Sequence, residues 1–253
     1  MSDSPISERH GSRSRRPIAF HRRTLAAAAC LAIALSGAAA CSNNKPKPSG
    51  PLPDAATLMS QSETAMSNVQ TVHFEFLVDG TLPNVPLSKA VADLKQNGDA
   101  KGTATITELG VNVAIDFVIV NKLFYIKGAT GGFTQAPASQ VSGIIDPSAI
   151  LDPNRGVVQL MKTAQNPKVE GTDSINGHDA YRVAVTPDPT ALGAIVPGAG
   201  SGTTGKIWID VKTKRLDKCV FTLPANGGNK GATVTILLSN YDAPVTVDVP
   251  PTS

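Results

Sequence analysis

Apolar residues recur at every second position from Thr71 onward, and this period of two restricts the fold more than any other feature of the chain. The first run ends at Gly80 and carries four apolar residues at alternate positions: Val72, Phe74, Phe76 and Val78. Successive side chains of a β-strand point to opposite faces, so such a run can bury one face and leave the other in water. The pattern predicts a half-buried strand.

Further runs with strand character follow, and turn residues separate them. Leu109-Gly110 and Asn176-Gly177 each join two neighbouring runs, and Asn-Gly is the strongest short-range signal for a hairpin. The run 111–120 has Val113, Ile115 and Phe117 on one face. The other predicted strands cover 89–96, 101–108, 122–128, 168–175, 178–186, 206–211, 215–223 and 232–240. Because short turns join most of them, we predict about nine or ten antiparallel strands.

Three stretches have helical spacing instead. Asp54 is a typical N-cap residue, and apolar residues at a spacing of three to four predict a helix of about 15 residues after it. Two Asp-Pro pairs in the segment 145–167, Asp146-Pro147 and Asp152-Pro153, can each start a short helix with Pro in its first turn. A last short helix is predicted at 188–196.

Strands and helices in this order predict an α+β domain, with one curved antiparallel sheet and helices on one of its faces. Inside such a domain the apolar stripes allow two interpretations. They form either an ordinary packed core or the wall of a lipid-sized apolar cavity, and alternation looks the same around both. Any cavity wall is expected at these stripes, which comprise Val72, Phe74, Phe76, Val78, Val113, Ile115, Phe117, Val157, Leu160, Met161, Leu192 and Ile195.

The first 40 residues have the composition of an export signal. Six arginines precede an uncharged stretch, 24–40, whose 17 residues are few for a membrane-spanning helix. Cys41 follows three alanines, which is typical of a lipoprotein signal: the leader is cut before the cysteine, which is then acylated. The alternative is an ordinary secretory signal with an incidental cysteine. We predict a signal peptide at 1–40, a Pro/Gly/Ser-rich tether at 41–53 and a single domain at 54–253.

Loss of the leader changes the charge balance. The whole chain has 23 basic and 20 acidic residues. The leader holds six of the basic and two of the acidic residues, so the mature chain has 17 basic and 18 acidic residues. A nearly neutral mature chain has no basic surface for nucleic acid. Cys41 and Cys219 are the only cysteines left, so no disulfide is predicted once Cys41 is acylated. We expect a monomer.

Motifs for catalysis, for a metal and for a cofactor are missing from the sequence. His73 and His178 stand alone, and no common hydrolase, metal or phosphate-binding motif occurs. Cys219 alternates within a predicted strand, as a small packed apolar residue does. The sequence therefore predicts neither an enzyme nor a metal or cofactor site.

An ordered series of motifs resembles the mycobacterial lipoprotein family that includes LppX, LprA, LprF and LprG. The motifs are GPLPDA (50–55), VNKLFY (120–125), IDPSAILDPNRGV (145–157), VEGTDSINGH (169–178), IWI (207–209) and LSNYDAPVTV (238–247). The resemblance runs from Cys41 to the C-terminus and looks strongest for the LprF branch. Tyr241 stands where members commonly carry Trp, a difference that does not affect the expected fold.

This resemblance implies a half-open antiparallel barrel, similar to the lipoprotein carriers LolA and LolB, with helices over the concave side of the sheet. It also implies a cavity for the acyl chains of a phospholipid or glycolipid. The expected function is transport of that lipid from the inner membrane toward the outer envelope, by a protein anchored through Cys41 on the outer face of the inner membrane, with a membrane transporter as a further partner. The alternative is an envelope scaffold or sensor that acts through a protein partner.

Overall fold

The computed structural model describes residues 50–252, apart from Asn84, Leu109, 137–146 and 226–229. Within these residues one antiparallel sheet contains eleven strands. They are β1 (Thr71–Gly80), β2 (Leu87–Lys95), β3 (Ala100–Glu108), β4 (Val111–Val120), β5 (Leu123–Lys127), β6 (Thr134–Ala136), β7 (Gln165–Ile175), β8 (His178–Thr186), β9 (Thr204–Asp210), β10 (Leu216–Leu223) and β11 (Ala232–Ser239). The strand order is β6-β5-β4-β3-β2-β1-β11-β10-β9-β8-β7.

The sheet consists of two meanders, β1–β6 and β7–β11, joined where β1 pairs with β11. Its outermost strands, β6 and β7, do not pair with each other, so the sheet is open. Four helices in the described part accompany it: α1 (Ala55–Ser67), α2 (Pro147–Ile150), α3 (Val157–Thr163) and α4 (Pro189–Gly193). The α+β architecture predicted from the sequence is confirmed.

Alternation along β1 sets the two faces of the sheet. Val72, Phe74 and Phe76 are buried, and the residues between them are half-buried. We call the face that carries these three side chains the inner face and the opposite one the outer face. Buried apolar residues of the inner face form one cluster with residues of the helices, so the helices pack on this face.

The first helix begins as predicted. The Asp54 carboxylate accepts a hydrogen bond from the Thr57 backbone N–H at 2.8 Å, which satisfies one of the unpaired donors of the first turn. The buried side of α1 contains Leu58, Met59, Ser62 and Met66. This side packs against α3 and the edge strand β7.

The predicted hairpin at Asn176-Gly177 is also confirmed. Both residues have positive φ, 49° for Asn176 and 85° for Gly177. Positive φ at both central positions defines the type I′ turn, whose twist matches that of the flanking strands.

One prediction in the middle of the chain needs correction. Asp152-Pro153 does not start a helix: these residues form a turn in which Asp152 accepts hydrogen bonds from Asn154 and Arg155, and α3 begins only at Val157. At Gly156 the chain folds back against α2, where a Cβ would lie 2.1 Å from the Ile150 carbonyl oxygen.

Strand β6 was not predicted, because it has only three residues after a glycine-rich segment. Asp146, of the other Asp-Pro pair, lies outside the described residues.

Candidate functional site

The inner face is an almost continuous apolar surface. One row across the sheet, read through the registers from β8 to β4, runs Val183, Ile207, Cys219, Ile236, Phe76, Ala90, Ala104 and Ile115. Side chains that share a face at neighbouring strand positions lie about 5 Å apart. The row therefore places apolar contact surface across eight strands.

On β2 and β3 the inner face carries small residues where the neighbouring strands carry large ones. Phe74 lies opposite Ala92, Ala92 opposite Gly102, and Gly102 opposite Phe117. One position along, Ala90 and Ala104 separate Phe76 from Ile115. The inner face thus has a shallow trough, two strands wide, between the two phenylalanines of β1 and the residues Ile115 and Phe117 of β4. We call it the β2–β3 trough.

Most of the predicted wall residues come together in one cluster. Val72, Phe74, Phe76, Phe117 and the helix residues Val157, Leu160, Met161, Leu192 and Ile195 all belong to the buried cluster. Val78 and Ile115 pack against it and are half-buried. Val113 shares their face but is not in the cluster and is half-buried. The stripes therefore divide into a closed part and a more accessible part toward one end of the sheet.

That end of the sheet has a cleft of about 460 Å³ below the β1–β2 loop. Leu82, Val85 and Leu87 supply its apolar lining, and all three are buried. Its other lining residues include three hydroxyl-bearing side chains: Thr81, Ser88 and Thr107. Pockets of roughly 300–1,000 Å³ are typical of small-molecule sites. Sequence reasoning did not find this cleft, although three apolar residues next to the two prolines of the stretch 81–88 were a usable signal.

A second cleft, of about 410 Å³, lies at the ends of β4 and β5. Val113 is the predicted wall residue that lines it, and Asp116 and Lys127 provide charge, with Nζ and Oδ2 at 3.6 Å. The Lys127 ammonium also lies over the Phe133 ring, 5.9 Å from its centre. This cleft is more polar than the inner face beside it.

An unusual carboxyl group lies at the opposite end of the sheet. Asp217 sits at an irregularity in the β9–β10 pairing, and its Oδ2 atom is buried without a hydrogen-bond partner among the residues that the structure describes. Burial, together with the nearby Asp210 charge, raises the pKa of Asp217 to about 6, while His178 acts in the opposite direction. A carboxyl group whose pKa is raised on folding is expected to make stability depend on pH.

The structure describes little that suggests reaction chemistry. Cys219 is 1% exposed on the inner face, and burial raises the pKa of its thiol, which disfavours the reactive thiolate. Among the described residues no three His, Cys, Asp or Glu side chains are grouped to hold a metal ion. No helix in the described part has the length and apolar character needed to cross a bilayer. Cys41, the predicted lipid anchor, lies outside the described residues.

Comparison with known proteins agrees with this architecture. The LprG lipoarabinomannan carrier protein of Mycobacterium leprae is 31% identical, over 92% of this chain and 98% of its own. The LprF putative diacylated glycolipid transporter of Mycobacterium bovis is 30% identical, over 97% of this chain and 98% of its own length. The crystal structure of LprF from Mycobacterium bovis superposes with a TM-score of 0.67, at 29% identity, and covers 79% of this chain and 98% of that one.

A more distant structure supports the fold alone. Lipoprotein LppX of Mycobacterium tuberculosis superposes with a TM-score of 0.58 at 20% identity, over 77% of this chain and 98% of its own. Residues 54–247, which contain the whole described sheet, match the family described as LppX_LprAFG lipoprotein. On this match and on the two relatives that align along nearly their full length, the protein belongs to the LppX_LprAFG lipoprotein family.

Proposed function

We propose that this protein is a cell-envelope lipoprotein that binds the acyl chains of a lipid or glycolipid against its inner face and carries that lipid. The observation that carries the proposal is the continuous apolar inner face, with the β2–β3 trough in it and a cleft at one end. Relatives named as a lipoarabinomannan carrier and as a putative glycolipid transporter support the same class of ligand.

The energetics explain why such a lipid needs a carrier. Each methylene moved from water to an apolar environment is worth about 0.8 kcal/mol, so a chain of about 15 methylenes is worth about 12 kcal/mol. A single acyl chain therefore leaves a membrane slowly on its own, and a lipid with two chains far more slowly. A protein that replaces membrane contacts by contacts with its own apolar surface lowers this barrier without any covalent step. On this account the protein is not an enzyme.

Within this proposal the accessible residues Val78, Val113 and Ile115 form the entrance to the site. The buried residues Phe74 and Phe76 form its floor, beside the β2–β3 trough. Val72, Phe117 and the helix residues Val157, Leu160, Met161, Leu192 and Ile195 complete the wall. Acyl chains enter by separating the helices from the sheet, since side chains this buried leave no open channel between them.

Anchoring through an acylated Cys41 places the domain at the outer face of the inner membrane. The 12 residues from Ser42 to Pro53 reach at most about 40 Å when extended, so the domain stays close to the lipid it collects. Transfer toward the outer envelope, with a membrane transporter as a partner, completes the proposal.

The test uses the mature chain with Cys41→Ala, produced without its leader in a host that makes envelope lipids. We expect native mass spectrometry to show a lipid-bound form, and extraction to release a lipid with acyl chains. Protein that carries no lipid, and takes none up from vesicles after delipidation, would contradict the carrier function and favour a scaffold or sensor that acts through a protein partner.

A further inference from the structure

The C-terminal segment 240–252 leaves the middle of the sheet and is held firmly where it starts. The Asp242 carboxylate accepts a hydrogen bond from the Gln70 backbone N–H at 2.9 Å and is paired with Arg215. The hydrogen bond from Gln70 and the Arg215 guanidinium lower the pKa of Asp242, so this carboxylate is charged at neutral pH. The segment is thereby tied to the start of β1 and to the β9–β10 turn.

Three further hydrogen bonds fix the same end. The Thr71 hydroxyl donates to the Ala243 carbonyl oxygen at 2.7 Å, and the Asp242 N–H donates to the Thr71 carbonyl at 3.0 Å. The Tyr241 hydroxyl donates to the Leu216 carbonyl. Because Val72 points to the inner face, the Thr71 side chain points to the outer face, and its bond places Ala243 there too.

The other end of the segment lies near the edge of the sheet. Thr252 forms an isolated bridge with Phe133, the residue before β6. Five strands, β1 to β5, separate β11 from β6 in the sheet, a distance of about 29 Å at about 4.8 Å per strand. The 13 residues from Asn240 to Thr252 reach at most about 45 Å, so the segment is long enough to span this distance in an extended conformation.

Burial along residues 243–247 shows that one side of this part of the segment rests on the protein, and the alternation ends at Val249, which is 55% exposed. Ala243, Val245 and Val247 are half-buried, whereas the residues between them are exposed. On the outer face of β5, Tyr125 is only 5% exposed, although its neighbour Phe124 is the one that faces inward. Both observations fit a segment that crosses the outer face of β1–β5.

We propose that residues 240–252 form a strap that ties the β4–β6 side of the open sheet to its centre and thereby gates movement of that edge. Among the described residues, the near end has four hydrogen bonds and an ion pair and the far end has a single bridge, so the far end opens first. With the strap in place the β6 edge moves little; with its far end released, β4–β6 move and the inner face becomes accessible. The consequence for lipid exchange rests on the proposed carrier function, whereas the mechanical tie does not.

The test compares three forms of the mature protein. One ends after Ala243 and keeps the near-end hydrogen bonds, one carries Phe133→Cys and Thr252→Cys as an oxidisable lock, and Asp248→Asn is the control at an exposed strap position. Hydrogen exchange is measured on lipid-free protein, and transfer of a fluorescent diacyl phosphatidylcholine is measured between vesicles of unlabelled phosphatidylcholine.

We expect the truncated form to exchange amide hydrogens at least tenfold faster in β4–β6, with β8–β10 unchanged, and to transfer lipid several-fold faster. The oxidised lock should transfer lipid more slowly than the same protein after reduction, and the control should behave as the parent does. If the truncated form and the parent exchange amide hydrogens in β4–β6 at equal rates, the proposed mechanical tie is wrong, whether or not the protein binds lipid. Faster hydrogen exchange together with identical lipid transfer in truncated and locked forms overturns the gating. If no form, including the parent, takes up lipid, the proposed carrier function is wrong. The hydrogen-exchange rates then still test whether the strap holds β4–β6.

Discussion

Gly102 of β3 and Ala92 of β2 lie so close that a Cβ on Gly102 would be 2.7 Å from the Cα of Ala92 and 2.2 Å from the carbonyl oxygen of Val91. Real Cβ atoms do not approach backbone atoms this closely, so glycine is required here by packing rather than by a positive φ. The close approach lies in the middle of the β2–β3 trough, between Phe74 and Phe117. It shapes the part of the inner face that we assign to acyl chains.

A single methyl group at this position should therefore destabilise the domain. Gly102→Ala forces β2 and β3 apart, and we expect a loss of about 1–3 kcal/mol in the free energy of unfolding, as for overpacking of a tight core. Gly171→Ala is the matched control, since its nearest atom would lie at 3.6 Å, an ordinary contact. Urea denaturation of both variants measures the difference, and equal stabilities would contradict the close packing of β2 against β3 at Gly102.

The Asn176-Gly177 hairpin separates backbone strain from packing. A Cβ on Gly177 would meet nothing within 4 Å, so any cost of Gly177→Val comes from its φ of 85°. We expect a loss of about 1–3 kcal/mol in the free energy of unfolding. Gly200→Val, at a position that also has open space around it but no positive φ, should change stability by less than about 0.5 kcal/mol. A melting temperature that Gly177→Val leaves unchanged would contradict the type I′ turn.

Much of the fold could be predicted because local patterns determined it. The alternation of apolar residues predicted β1 and β4, and Asp54 predicted the start of α1. Asn176-Gly177 predicted the β7–β8 hairpin. The start of α3 could not be predicted, because it depends on how Gly156 packs under the α2 backbone. Such long-range packing leaves no periodic signal.

The candidate site was harder to predict than the fold. Alternation identified Val113, Ile115 and Phe117 as one face of β4, but it could not show which face is inward, since that depends on pairing with β3 and β5. The β2–β3 trough arises only when Ala92 and Gly102 come into register with their neighbours. The short apolar stretch that forms the cleft below the β1–β2 loop has neither strand nor helix periodicity.

The raised pKa of Asp217 predicts that stability depends on pH in a defined direction. Its folded-state pKa, about 6, lies above the ordinary value of 3.8, so the folded state binds the proton more tightly. Stability from this group is therefore greatest in acid and falls as the pH rises from about 4 to 6, and the full penalty persists above that range. Asp217→Asn should stabilise the protein at pH 8 by about 1 kcal/mol, less than the full shift implies because the group is partly exposed.

Chemical denaturation at pH 4.5 and pH 8 measures this effect. The gain from Asp217→Asn should be clearly larger at pH 8. Asp179→Asn, at an exposed position in β8, is the control for the same change of side chain on the surface. A gain from Asp217→Asn that does not depend on pH would mean that the carboxyl group is not perturbed by burial.

The proposed anchor predicts a simple biochemical result. In cells, Cys41→Ala should abolish incorporation of a labelled fatty acid and leave the leader uncut by the lipoprotein signal peptidase, because the thiol is the acylated group. Cys30→Ala is the matched control within the leader and should leave labelling intact. Fatty-acid labelling that persists in Cys41→Ala would show that another residue is acylated and that Cys41 is not the lipid anchor.

The central claim is that acyl chains, and not only protein side chains, occupy space against the inner face. Val113→Trp adds a large side chain to the half-buried entrance, whereas Thr103→Trp adds the same side chain to the exposed outer face of β3. The most direct measurement determines, for both variants and the parent, the thermal stability and the amount of lipid bound per protein. We predict that Val113→Trp stays folded, with a melting temperature within a few degrees of the parent, and loses at least half of its bound lipid, while Thr103→Trp keeps both. A Val113→Trp protein that unfolds before it loses lipid, or that binds as much lipid as the parent, would contradict the carrier account and favour an ordinary packed core.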